Sequence, residues 1–303
     1  MRLLFCFLLF FSTLAHGQSP YILVLGVTQD GGYPQAGCNT PNCLDAWEGR
    51  RPPLYVTSLA IVDPQSQQRW LIDATPDFKY QLQLLKTHTK NTSNDLTGIF
   101  LTHAHMGHYT GLMHLGREAL GVKNVKVYAM PLMQRFLENN GPWSQLVSLK
   151  NIDLHPMTDS TWIVLNERIK IQPFTVPHRA EYSETVGFRI RTNNKTFVYI
   201  PDIDKWNLWK KDLNDVVRAA DYAFIDATFF ADGEIPRPMS EVPHPFVSET
   251  MKLLEKLPPS ERQKVYFTHF NHTNPLLRPE TKEFIQTAKE GYQVAKQGQV
   301  IEL

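Results

Sequence analysis

Ten apolar runs along this chain are short, rich in β-branched and aromatic residues, and end in a polar or turn residue, as in "YILVLGV", "TSLAIVD", "RWLIDAT", "LTGIFLTH" and "KTFVYIPD". Helical patterns alternate with them at 77–88, 109–120, 131–140, 206–220, 245–257 and 279–297. Strands mixed with helices in this way predict a layered α/β domain. At six run ends stands a metal-ligating or acid–base side chain: Asp73, His103, His178, Asp202, Asp226 and His269. Strand ends and the loops after them hold such groups on a rigid base, and six from six segments is more order than chance placement gives.

The densest of these points is "LTHAHMGHYTGL", where His103, His105 and His108 follow an apolar run. In an extended loop alternate side chains point the same way, so His103 and His105 can reach one ion. His108 can turn to the same ion or to a second. Imidazole suits zinc, iron, nickel and copper. A catalytic zinc takes three protein ligands and keeps a place for water, so a third histidine from another run end would complete a site. The other reading, histidines satisfied in the core or on the surface, suits His88, His114 and His155, which lack this context.

The 303 residues suffice for one large core, and the formal net charge of +1, with no basic or acidic run, gives no sign of a nucleic-acid partner. A small-molecule substrate is the expected partner, and oligomeric state is not readable. Residues 1–17 have the layout of a secretory signal: Arg2, an apolar run from Leu3 to Phe11, and small residues at Ala15 and Gly17 before a cut at Gln18. That run is short of the roughly 20 residues that span a bilayer. The expectation is export to the periplasm or medium, with one domain at 18–303 and no stable membrane anchor once the signal is removed. Cys38 and Cys43 would then meet an oxidising compartment. A local disulfide, part of a metal knuckle and two free thiols are all compatible with their spacing.

The histidine segment resembles the H-x-H-x-D-H motif of the metallo-β-lactamase superfamily. Asp73, His178 in "TVPH", Asp202 in "YIPD" and His269 in "YFTH" resemble its successive metal motifs in order. "LVLGVTQDGGYPQAGCNTPNC", "FIDATFF" and "HFNHTNPLL" are similar, more specifically, to the pyrroloquinoline-quinone biosynthesis protein B branch. The resemblance implies a four-layer αββα sandwich with metal, zinc first and iron or manganese as alternatives, one or two ions per chain. It implies a first ion on His103, His105 and His178, and a second on His108, His269 and a bridging Asp202. Where the motif carries aspartate this chain has Gly107, so the second position is expected to lack a carboxylate, and Gly107→Asp is expected to raise its occupancy. His272 could replace a ligand or meet substrate. His244, before a helix, is a candidate proton donor, with Asp202 beside the reaction. Asp73 and Asp226 could orient ligands or touch substrate. Trp47, Arg50, Arg51 and Arg237, in Pro- and Gly-rich loops, could bind an anionic or aromatic group. Three functions follow as alternatives: an exported hydrolase of esters, lactones, amides or phosphodiesters; a cofactor-biosynthesis metalloprotein or iron oxygenase; and a non-catalytic metal-binding protein.

Overall fold

The computed structural model describes residues 18–179 and 181–303; the signal expected at 1–17 lies outside them. Among the described residues are two seven-stranded sheets. The first places β1 (Tyr21–Gly26), β2 (Ser58–Asp63), β3 (Gln68–Ile72), β4 (Gly98–Phe100), β5 (Val125–Ala129) and β6 (Ile152–Pro156) side by side in chain order. The second runs from β7 (Ile163–Val164) through β8 (Lys170–Thr175), β9 (Val186–Arg191), β10 (Thr196–Ile200), β11 (Tyr222–Asp226) and β12 (Val265–Thr268) to β13 (Gln293–Val294). The final strand, β14 (Val300–Glu302), returns to the first sheet beside β1.

Both faces of the first sheet are covered, which is why its strands read as continuous apolar runs rather than alternating ones. Ile22, Val24, Ile61, Trp70, Ile72 and Phe100 point to the core between the sheets. Their neighbours Leu23, Leu25, Val62, Leu71 and Ile99 point outward, against Phe78, Leu82 and Leu85 of helix Phe78–Thr89 and Met133 and Leu137 of helix Pro131–Asn139. The second sheet is covered by Leu213, Val216 and Val217 of helix Leu213–Arg218 and by Val247 and Met251 of helix Val247–Leu253. Each fully buried side chain of this size contributes about 1.5–3 kcal/mol. The architecture is the expected α/β sandwich. No helix among the described residues is long and apolar enough to cross a membrane.

Strand direction determines where the site falls. β3 and β4 are parallel, and β1 shares their direction because two antiparallel pairings separate it from β3. β10, β11 and β12 are parallel, and β8 shares theirs through β9. The C-terminal ends of all seven strands therefore lead to the site-bearing loops.

The continuous helix expected at 109–120 is replaced by a 3₁₀ turn, Thr110–Leu115. Gly111 N donates to Ala74 O at 2.8 Å, and Ala74 N donates to His108 O at 2.9 Å. The backbone here is tied to the end of β3 instead of to its own preceding turn. A Cβ on Gly111 would lie 2.8 Å from the Ala74 carbonyl carbon. Gly111→Ala is therefore expected to cost about 1–3 kcal/mol, read as a lower urea midpoint; an unchanged midpoint contradicts this packing. The pattern at 279–297 is also broken: the helix Lys282–Lys289 stops before Gly291, at φ 96, and the chain forms β13.

Candidate metal centre

Asp202, just past β10, is the hub. It is 2 % exposed, and six imidazoles come within 3.9 Å of its carboxylate, His244 and His105 among them. His103 Nε2 lies 3.3 Å from Oδ2, His178 Nε2 lies 3.2 Å from Oδ1, and His108 Nε2 and His269 Nε2 each lie 3.7 Å from Oδ2. His105 Nδ1 completes one side, 2.8 Å from His103 Nε2 and 3.3 Å from His178 Nε2. Nitrogens bound to one tetrahedral ion at about 2.0–2.1 Å sit roughly 3.3 Å apart, so this half matches the donor spacing of a zinc-type site.

Each ring is fixed by its other nitrogen or by a neighbour. His108 Nδ1 meets Asp73 Oδ2 at 2.7 Å, and His178 Nδ1 meets Asp204 Oδ1 at 2.9 Å. His103 Nδ1 is 2.9 Å from Thr102 Oγ1, and His269 Nδ1 is 2.8 Å from Thr228 Oγ1. Asp73 in turn accepts from Thr102 N at 2.8 Å, and Asp226 accepts from Thr228 N at 2.8 Å. Such outer partners set tautomer and ring direction. Asp73 and His269 adopt φ 67 and φ 66, a conformation that L residues hold only where surroundings enforce it. The result is that His108 Nε2 and His269 Nε2 are buried, face Asp202, and have no hydrogen-bond partner. Unpaired buried nitrogens of this kind are costly unless something binds them. Together with the donor set, they fit a metal.

The electrostatics carry the mark of crowding. Burial and the neighbouring His108 hold the His103 imidazole well below its ordinary range. His108 is pushed up to about 9: burial opposes its charge, but Asp73, Asp30 and Asp202 outweigh it. Asp202 itself is held well below the carboxylate range, because His178, His269 and His244 outweigh its burial.

The remaining predicted residues divide clearly. His244 does not join the first group; its Nδ1 lies 2.8 Å from Asp226 Oδ2 and 3.2 Å from Asp202 Oδ1, and it lines the open cavity. Burial opposes its protonation, but Asp226 and Asp202 push it up to about 9. Asp226 also accepts from Ile203 N at 3.1 Å, so the same carboxylate ties backbone amides and the His244 ring together. Asp73 is fully buried beneath His108 and so cannot touch substrate. His272 joins none of the groups around Asp202; it lines the cavity and faces Cys38 and Cys43. Those two cysteines are paired as a disulfide with Cα atoms 5.9 Å apart. Arg237 lines the cavity of about 370 Å³, as does Arg179, which the sequence gave no reason to single out. Arg50 and Arg51 are instead paired with Asp45, Glu48 and Glu280, and Trp47 lies outside this cavity.

One acidic group was missed. Asp30, in the loop after β1, accepts from Gly107 N at 2.8 Å and lies 3.9 Å from His108 Nε2. Burial would raise its carboxyl, but His108 and His269 hold it below the usual range. The expectation that Gly107→Asp fills a gap is corrected by this contact, since a Cβ at 107 would lie 2.7 Å from the Asp30 Cα. The signal available in the sequence was the acid in "TQDGG", placed after a strand run.

Fold and site together define a metallo-β-lactamase-type protein. The chain belongs to the β-lactamase superfamily, whose domain model matches residues 68–270. Within it the chain is similar, over more than nine-tenths of its length, to coenzyme PQQ synthesis protein B. It is 24 % identical to that protein of Xanthomonas oryzae pv. oryzae, over 93 % of this chain and 99 % of the relative. It is 27 % identical to that of Ruegeria pomeroyi, over 91 % and 98 %. Zn²⁺-bound PqqB from Methylobacterium extorquens superposes with a TM-score of 0.78 at 22 % identity, covering 93 % of this chain and 100 % of that one. A diphosphatase of the PhnP family gives 0.66 at 22 %, covering 94 % and 98 %.

Proposed function

We propose that this chain is an exported metal-dependent hydrolase acting on a small anionic ester, with a phosphodiester favoured over a lactone, amide or neutral ester. The observation that carries the proposal is the convergence of five imidazoles about Asp202 at the floor of a cavity that also holds His244. His103, His105 and His178 would hold one ion, and His108, His269 and the shared Asp202 a second. Imidazole and carboxylate donors suit zinc, with iron or manganese compatible. Bound divalent ions supply Lewis acidity and bring the pKa of water at such a site near neutrality.

The chain's own residues do the rest. Asp73, Thr102, Asp204 and Thr228 keep the rings in register. Asp226 holds His244 at Nδ1, leaving its Nε2 to deliver a proton to the departing oxygen. Arg179 and Arg237 on the cavity wall favour an anionic group, because guanidinium matches phosphate geometry. The apolar signal pattern and the Cys38–Cys43 disulfide support export.

Metal analysis of the purified protein, combined with a panel of ester, lactone, β-lactam and phosphodiester substrates, tests this. Turnover of the phosphodiester with bound metal is the expected result; bound zinc with no turnover on any of them counts against it. Fractionation of the producing cells, with the mature N-terminus read as Gln18, tests export.

A second reading is favoured by the similarity to the PQQ synthesis proteins over more than nine-tenths of the chain: a cofactor-biosynthesis metalloprotein using iron on His108, Asp202 and His269. Two histidines and one carboxylate suit a non-haem iron oxygenase. Iron content with oxygen uptake would carry it, and zinc-only content would remove it.

A further inference from the structure

We propose that Asp30 is a ligand of the second metal position, a carboxylate delivered from the loop after β1 into space that Gly107 leaves open. The two residues compete for one volume: a side chain at 107 would run into the Asp30 backbone, and Asp30 Oδ1 already accepts the Gly107 N–H at 2.8 Å. Asp30, His108, Asp202 and His269 each offer a ligand atom within 4.8 Å of the others. Two of those atoms, His108 Nε2 and His269 Nε2, are buried with no hydrogen-bond partner, so the group is built around something it does not itself contain.

The loop is held firmly enough to place a ligand. Thr28 bridges to both Val56 and Phe270, joining the two sheets at this point. Gln29 N donates to Phe270 O at 2.9 Å, and Phe270 N donates to Val27 O at 2.8 Å. Gln29 Nε2 reaches Asn271 Oδ1 at 3.2 Å, and Gly32, at φ 67, turns the chain back so that its N–H meets Gln29 O at 2.9 Å. Asp30 thus stands beside the residue that follows His269, from a segment seventy-odd residues before the histidine motif. Two carboxylates and two imidazoles make a harder, more negative donor set than the one the histidine motif alone provides, and would favour a firmly held second ion.

This inference rests on the metal-binding part of the proposed function, and metal binding is measured directly to separate the two. Apo protein is titrated with zinc by equilibrium dialysis and the ions per chain are counted by mass spectrometry. Wild type is expected to bind two, and Asp30→Asn to bind the second at least about tenfold more weakly, the lower bound set by loss of mere outer partners. The first ion, on His103, His105 and His178, is retained and reports that the variant is folded. Gly107→Asp alone is expected to lower the melting temperature without raising metal content, whereas Asp30→Gly/Gly107→Asp restores the second ion. Wild-type zinc binding by Asp30→Asn, whether of one ion or two, overturns the assignment, as does Gly107→Asp binding both with unchanged stability. A protein that loses its second ion on Asp30→Asn yet hydrolyses no substrate leaves Asp30 a ligand and removes the hydrolase reading.

Discussion

Asp202→Ala is expected to reduce bound metal from two ions per chain to about one and to lower turnover by at least about 10²-fold, the scale of losing one group that stabilises developing charge. Asp202 is the one carboxylate common to all three ligand groups at this edge. It lies within 3.7 Å of His103, His108, His178 and His269, and it is almost wholly buried. Two dications in adjacent positions, about 3.5–4 Å apart in two-metal sites, repel strongly where water is scarce. A single anion reaching both sides offsets that repulsion, and alanine cannot. His103, His105 and His178 would still offer a complete zinc set without it, so the second ion is the one expected to be lost. His108 keeps Asp73, and His178 keeps Asp204, so the apo fold is expected to survive, as circular dichroism would show. An Asp202→Ala protein that still carries two ions, with near-normal turnover, would mean that Asp202 holds neither.

The sandwich was legible because its strands are buried on both faces and so read as apolar runs with abrupt polar ends. Ten of those runs became β1–β5 and β8–β12. Edge strands β6, β7, β13 and β14 were not legible; β7 and β13 are two residues long and β14 is three, too short to leave a period. The helix expected at 109–120 failed for a tertiary reason, since Gly111 bonds to the end of β3 and not to its own helix. Within the site, residues that end a strand or sit in the histidine motif could be named from the sequence. Asp204 and Thr228 could not, because they act through rings that only the folded sheet edge brings near. Asp30 is the instructive case. Motif spacing records neighbours along the chain, whereas a carboxylate contributed from seventy residues away shows itself only as an acid after another strand run, in "TQDGG", and as an absence at Gly107. That absence suggested a weakened site, and the structure shows the same space occupied.

His244→Gln is expected to separate proton donation from metal binding. Glutamine keeps a hydrogen-bond donor toward Asp226 but has no titratable proton to give. For a phosphodiester with an alkyl leaving group, turnover is expected to fall by roughly 10²–10⁴-fold, the usual contribution of a positioned general acid. For a 4-nitrophenyl ester, whose leaving group departs without protonation, the fall is expected to be under about tenfold. Metal content should not change, since His244 Nδ1 is committed to Asp226 at 2.8 Å and the ring lies on the cavity wall. The alternative built into the same geometry is that His244 is itself a ligand, in the group it forms with Asp202, Asp226 and His269. In that case His244→Gln would lose metal, and both substrates would slow by the same factor. Asp226→Asn provides the complementary check. It leaves the imidazole present but weakens its hold, so it should reproduce the leaving-group dependence at smaller amplitude, compared at saturating metal because Asp226 also supports Thr228 and through it His269. Equal slowing of both esters in His244→Gln would remove His244 from the role of proton donor.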